Sequence, residues 1–165
     1  MPMTDLTLAR LQAVLDYNPD TGVFTWKMRL SNRITVGASA GSLDRDGYFI
    51  ISIDGTRYFA HRLAWLYMTS AWPKDDIDHI NGSPSDNRWE NLRAATRSQN
   101  LANTSRFRNN TTGFKGVTRI KNGKYVAQIK VKQQRIYLGC FTFPEDAHTA
   151  YVIAARGYFG EFARR

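Results

Sequence analysis

An α+β fold is predicted for this 165-residue chain by three features of its patterning. A β-hairpin signal lies in the first 60 residues, and a strand, loop, strand and helix start occupy residues 77–100. Three alternating strands and then a helix fill residues 114–165. The organisation expected is an N-terminal helix and β-hairpin scaffold (1–60) and a ββα core (61–103). A linker (104–113) and a C-terminal three-stranded antiparallel sheet packed on one helix (114–165) complete it.

In the first segment, Leu8, Leu11, Val14 and Leu15 recur at helical spacing behind a capping position at Thr7. Asn18-Pro19-Asp20-Thr21-Gly22 is turn chemistry and leads into a strand from Val23 to Trp26. Tyr48 to Ile53, the Asp54-Gly55 turn and Thr56 to Ala60 make the hairpin. Next, His61 to Thr69 reads as a helix presenting Leu63, Leu66 and Tyr67 to a core, with Trp72-Pro73 closing it. Ile77 to Ile80 is a short strand, Asn81-Gly82 opens a polar loop, and Leu92 to Ala95 returns as the second strand. Thr96 and Gln99 fit a Thr-x-x-Gln capping box, which starts a helix at Arg97.

Residues 101–113 are rich in Asn, Thr and Arg, a composition suited to lying along a phosphate backbone or in a minor groove. Arg106 and Arg108 are the cations of that linker. Strands are then expected at Phe114–Ile120, Lys124–Val131 and Arg135–Phe141, with a helix starting at Pro144. Ala147, Ala150, Ala154 and Ala155 would let that helix lie close to a sheet, with Tyr151 and Tyr158 filling gaps. Alternation puts Val117, Ala127, Ile129, Ile136 and Leu138 on the face towards the helix. Thr118, Gln128, Lys130, Arg135 and Tyr137 fall on the other face, either a solvated surface or a platform for a major groove.

Charge favours the platform. Residues 1–100 carry 11 basic and 11 acidic side chains, whereas residues 101–165 carry 12 basic and 3 acidic. From Leu101 to Pro144 there are nine Lys or Arg and no carboxylate, a one-sided block that points to a polyanion. The block reads as strands, not as the basic amphipathic helix that lies on lipid, so double-stranded DNA is the expected partner and a membrane is not. No apolar run approaches the ~20 residues of a membrane span. The first ten residues lack a secretory pattern, so a cytoplasmic, unsecreted protein is expected. The single cysteine, Cys140, excludes an internal disulfide and a four-Cys structural zinc site. Its apolar surroundings predict a buried thiol.

Chemistry concentrates in residues 78–100. Asp78 and His79 are adjacent, and Gly82, Asn91 and Asn100 follow. Carboxylate and amide oxygens suit a hard divalent cation, and an imidazole can take a proton from water, the parts of a metal-assisted phosphodiester hydrolase. Two strands and a helix start would bring Asp78, His79, Asn91 and Asn100 within reach of one point. Each also has a plainer reading: Asp78 as a turn cap, His79 as a strand histidine, and the asparagines as partners of the backbone.

His61-Arg62-Leu63-Ala64-Trp65, Ile77-Asp78-His79-Ile80-Asn81-Gly82, Asp86-Asn87-Arg88, Glu90-Asn91-Leu92-Arg93 and Gln99-Asn100 together resemble the HNH endonuclease family. The likeness is to its phage and homing-endonuclease branch. It covers about forty residues, and Thr21 to Trp26 with Asp46-Gly47-Tyr48 resembles the leader of the same proteins. Residues 113–160 are similar to the ethylene-response-factor (apetala-two) DNA-binding domain through Lys115-Gly116-Val117, Gly123 to Ile129, Tyr137-Leu138-Gly139 and Ala150-Tyr151.

The first resemblance implies a ββα-metal nuclease core holding one Mg²⁺ or Mn²⁺ through Asp78 and Asn100. It casts His79 as general base and Asn91 as the residue that orients it. Asn100 stands where many relatives carry His. The second implies major-groove contacts from Lys115, Thr118, Gln128, Lys130, Arg135 and Tyr137, to which the block of charge adds Lys124. Ile120 replaces the family's Arg and Asn122 its Trp, so that family's base preference does not carry over. The expectation is a metal-dependent DNA endonuclease, nicking as a monomer; the alternative is a DNA-binding regulator whose nuclease portion is inactive. His61 and Asn87 are expected to pack and to shape a loop, and His148 to be exposed.

Overall fold

The computed structural model describes residues 6–104 and 110–163. It divides into two compact units, Met1–Ala94 and Ala95–Arg165. Strands and helices are mixed in both. Arg106 and Arg108 lie outside the described residues. Among the described residues no helix is long and apolar enough to cross a membrane.

In the first unit α1 (Leu8–Val14) starts where the Thr7 hydroxyl accepts the Arg10 amide at 3.2 Å. The chain passes directly into β1 (Leu15–Asn18), which pairs antiparallel with β2 (Val23–Trp26) in the register Leu15 opposite Trp26 and Asn18 opposite Val23. The Asn18 side chain braces the connection, accepting the amides of Asp20 at 3.0 Å and Thr21 at 3.1 Å. A second sheet has the order β3 (Ser42–Leu43), β4 (Phe49–Ile53) and β5 (Thr56–Phe59). Asp54 and Gly55 both take positive φ in its hairpin turn, the requirement that Asp-Gly announces in the sequence.

Helix α2 (Ala60–Thr69) ends at Ser70 in the left-handed conformation, before Trp72-Pro73 is reached. One core joins these pieces: Leu11, Val14, Leu15, Phe24, Ile51, Ile53 and Leu63 are fully buried. Burying each such apolar side chain contributes roughly 1.5–3 kcal/mol. The core draws on residues from both sides of position 60, so the N-terminal hairpins and α2 pack as one body. Against it lies a two-stranded sheet of β6 (Asp76–His79) and β7 (Leu92–Ala95), with a 3-10 turn at Trp89–Asn91 before β7.

The second unit opens with α3 (Arg97–Asn103). Its capping box is formed: the Thr96 hydroxyl accepts the Gln99 amide, and the Gln99 side chain accepts the Thr96 amide at 2.8 Å. Strands β8 (Val117–Arg119), β9 (Tyr125–Val131) and β10 (Gln134–Phe141) form an antiparallel sheet in the order β10, β9, β8. β8 is shorter than expected because Asn110 and Thr112 side chains hold Gly113 and Phe114 in a turn instead of the ladder. Helix α4 (Pro144–Phe159) has Pro in its first turn with Glu145 and Asp146, and Arg156 in its last, all matched to the helix dipole.

Val117, Ala127 and Ile129 from the sheet and Ala147, Tyr151, Ala155 and Phe159 from α4 form the core of this unit. Gly116 has φ near +74°, and a β-carbon there would overlap the Tyr151 ring. Three side chains depart from expectation. Tyr158 is exposed and fills no gap. His148 is half-buried, its ring 5.1 Å from Phe114 and its Nδ1 3.3 Å from the Lys115 carbonyl. Cys140 is exposed, because a bulge shifts the β10 register between Tyr137 and Gly139. The extra residue turns Cys140 from the core face to the outer one, opposite Val126.

Candidate active site and nucleic-acid interface

Adjacent residues of a strand point to opposite faces, yet Asp78 and His79 are both buried, at 4% and 6% exposure. Sheet β6–β7 is therefore covered on both sides. On one side Arg93 of β7 donates from Nε to Asp78 Oδ2 at 2.8 Å. On the other the His79 ring sits among aromatic rings. His61 meets it edge-on at 5.1 Å and Tyr48 lies 6.0 Å away, with Phe59 stacked on His61 at 5.4 Å.

Burial lowers the His79 pKa below the ordinary histidine value, a shift opposed by its bond to Asn87 and the charges of Asp78 and Asp86. His61 is pushed down to about 3, by burial first and then by His79 and Arg62. Near neutral pH both imidazoles are uncharged, the state in which one can accept a proton.

The loop between β6 and β7 is tied at several points. The Asn91 carboxamide accepts the Asn81 amide at 2.9 Å and donates to Asn81 Oδ1 at 3.1 Å and the Asp86 carbonyl at 2.7 Å. Its backbone carbonyl accepts the Ile80 amide at 2.9 Å. Asp86 is clamped by Arg88, which with Asn81 and the Arg88 amide holds its carboxyl down at about 2.

The partner of His79 within this loop is Asn87: Oδ1 of Asn87 lies 3.2 Å from Nε2 of His79, both groups buried. Asn87 thus makes a contact of the orienting kind expected of Asn91, and the Asn91 side chain bonds to Asn81 and Asp86 of the loop. Sequence spacing could not separate the two, since both are loop asparagines. The signal that could have done so is Asp86-Asn87-Arg88, whose flanking charges lock the backbone and leave the central side chain to turn inward.

Asp78, His79 and Asn91 thus belong to one sheet and its loop in the first unit. Asn100 lies in the first turn of α3, in the second unit, where its amide donates to the Thr96 carbonyl at 2.9 Å. Among the described residues no three His, Cys, Asp or Glu side chains gather into a metal cluster. The donors here are one carboxylate and amide oxygens without a thiolate, which fits a hard cation that keeps several waters.

On the second unit, register fixes the outer face of the sheet. Arg135 stands opposite Lys130, Tyr137 opposite Gln128, and Cys140 opposite Val126, which in turn faces Thr118. Lys130, Arg135, Tyr137 and Thr118 are exposed, Tyr137 at 65%, and Gln128 is half-buried between them. Charge thus gathers at the end of the face near the β9–β10 turn, while Thr118, Val126 and Cys140 make the other end uncharged. Lys124 is exposed in the turn before β9, as are Ile120 and Asn122. Lys115 is placed differently: its ammonium group donates to the Ala102 and Thr104 carbonyls at the C-terminus of α3.

Residues 58–102 match the HNH endonuclease family. A 66-residue stretch of the chain is 38% identical to the Arabidopsis thaliana AP2/ERF and B3 domain-containing transcription repressor TEM1. That stretch covers 40% of this chain and 18% of the plant protein.

Proposed function

We propose, from the premise of an HNH endonuclease region at residues 58–102 and an AP2-like region beyond it, that this protein is a metal-dependent DNA endonuclease of the phage or homing type. The observation that carries the reading is the buried Asp78–His79 step inside the matched region, with the imidazole kept neutral and held by Asn87.

In this reading His79 takes the proton from the attacking water, general base catalysis typically worth roughly 10²- to 10⁴-fold. Asn87 fixes the ring, Asn91 fixes the loop, and Arg93 fixes the carboxylate of Asp78. Asp78 and, by its position in the family pattern, Asn100 would hold one Mg²⁺ or Mn²⁺. When bound, the ion supplies charge stabilisation for the phosphate and the leaving oxygen. The outer face of the second unit, with Thr118, Gln128, Lys130, Arg135 and Tyr137, takes the DNA duplex and selects the site. A single catalytic site favours a monomer that nicks, acting in the cytoplasm.

The test is relaxation of a supercoiled plasmid with Mg²⁺, with Mn²⁺ and with EDTA, by the intact chain and by His79→Ala and Asp78→Ala. Metal-dependent nicking lost in both variants is the expected result. A second reading, a DNA-binding regulator without nuclease activity, has in its favour that the plant relative is named a transcription repressor. Tight DNA binding with no cleavage under either metal would select it.

A further inference from the structure

Segment Asn87–Trp89, which holds the His79 ring, is itself held from outside the matched region. Three contacts do this, all from the β1–β2 hairpin. The Tyr17 hydroxyl donates to the Asn87 carbonyl at 2.7 Å in a buried site. The Trp89 amide donates to the Pro19 carbonyl at 2.9 Å. Gly22, with φ near +73°, lets the turn approach so closely that a β-carbon there would overlap the Asn87 carbonyl carbon and the Arg88 nitrogen.

The hairpin is stiff where it makes these contacts. Its turn is braced by Asn18, and the Gly22 amide donates to the Asn18 carbonyl at 2.8 Å. The Tyr17 ring is wedged against Phe24 at 4.7 Å and Tyr67 at 5.7 Å. Burial raises the Tyr17 pKa, so its hydroxyl stays a donor at every working pH. The backbone of Asn87 therefore has little freedom, and its side chain inherits that constraint.

We propose that the β1–β2 hairpin belongs to the catalytic apparatus, with Tyr17 and Gly22 as positioning residues that set Asn87 and, through it, the imidazole of His79. This rests on the nuclease reading. It assigns the N-terminal segment a part in the chemistry beyond that of scaffold. The physical warrant is the steep dependence of proton transfer on geometry. A misplacement near 1 Å of a group remote from the reacting atoms can cost about 100-fold in rate.

The experiment is a double-mutant cycle on the full chain, reading single-turnover nicking of plasmid at saturating protein together with DNA affinity and thermal stability. Tyr17→Phe keeps the ring packing and removes only the hydroxyl. It should slow nicking about 10- to 100-fold with DNA affinity unchanged. Asn87→Ala should slow it at least as much, and adding Tyr17→Phe to Asn87→Ala should cost nothing further in rate. The stability loss from Tyr17→Phe should recur in both backgrounds, which separates positioning from general support.

Wild-type nicking by Tyr17→Phe overturns the inference, as does the same loss of rate with and without the Asn87 side chain. Absence of metal-dependent nicking by the unaltered chain overturns the nuclease reading and this inference with it. Because Gly22→Ala would force the backbones apart, it serves as the severe variant and should abolish nicking.

Discussion

Arg93 and Asp78 form a buried ion pair: guanidinium Nε and carboxylate Oδ2 are 2.8 Å apart, with the side chains 14% and 4% exposed. A pair this dry offsets its own desolvation and adds little net stability while intact. Losing one partner removes this ion pair from a carboxylate that is 4% exposed.

Arg93→Ala should therefore cost about 3–5 kcal/mol of stability, as breaking a buried pair does. Urea denaturation at neutral pH measures it. The same change at Arg10, whose partner Asp54 is 49% exposed, should cost far less. Equal losses at the two positions would contradict the account of burial.

Nicking should rise with pH and level off below the ordinary histidine value of ~6.5. The sign follows from burial: His79 has a lowered pKa, so the neutral form that accepts a proton persists further into acid. Single-turnover rates across a pH series report the midpoint. A plateau reached only above the ordinary histidine value would show that metal or substrate outweighs burial at this ring.

His61 makes the first unit sensitive to acid. In the unfolded chain it binds a proton near ~6.5; in the folded chain, only near about 3. Stability is complete above the unfolded value and falls as pH drops between the two. The loss is at most about 1.4 kcal/mol per pH unit from this group. Thermal melts of the intact chain and of His61→Leu, recorded at neutral and mildly acidic pH, should show a flatter dependence in the variant.

Lys130 and Arg135 sit directly opposite each other on the outer face, like charges on neighbouring strands. Such a pair is destabilising unless an anion lies between them. Lys130→Ala should weaken DNA binding and lower the salt slope by about one, while thermal stability stays level or rises. A fall in stability alongside unchanged affinity would place the duplex elsewhere.

Local chemistry was readable wherever the sequence carries its own partner. Thr96 and Gln99 cap the same helix, Asp54-Gly55 turns the same hairpin, and Pro144 opens the helix that follows it. What escaped depends on residues far away or on backbone geometry without a residue signature. Asn87 is held by a tyrosine 70 positions earlier, which no local pattern announces. Lys132 and Gln133 adopt positive φ in the β9–β10 turn although neither is Gly or Asn. The bulge that turns Cys140 outward leaves the alternation of β10 apparently unbroken. The family resemblance implies roles for the site residues, and the fold adds a contact between Asn87 and the His79 ring that spacing does not announce.

The outward turn of Cys140 also gives the molecule one native chemical handle. A maleimide dye attached there sits on an edge strand, across from Val126 at the uncharged end of the outer face, without any engineered mutation. The same exposure makes the thiol vulnerable. Stored without reductant, two molecules can cross-link through their sheets and obscure the surface that each would offer a duplex.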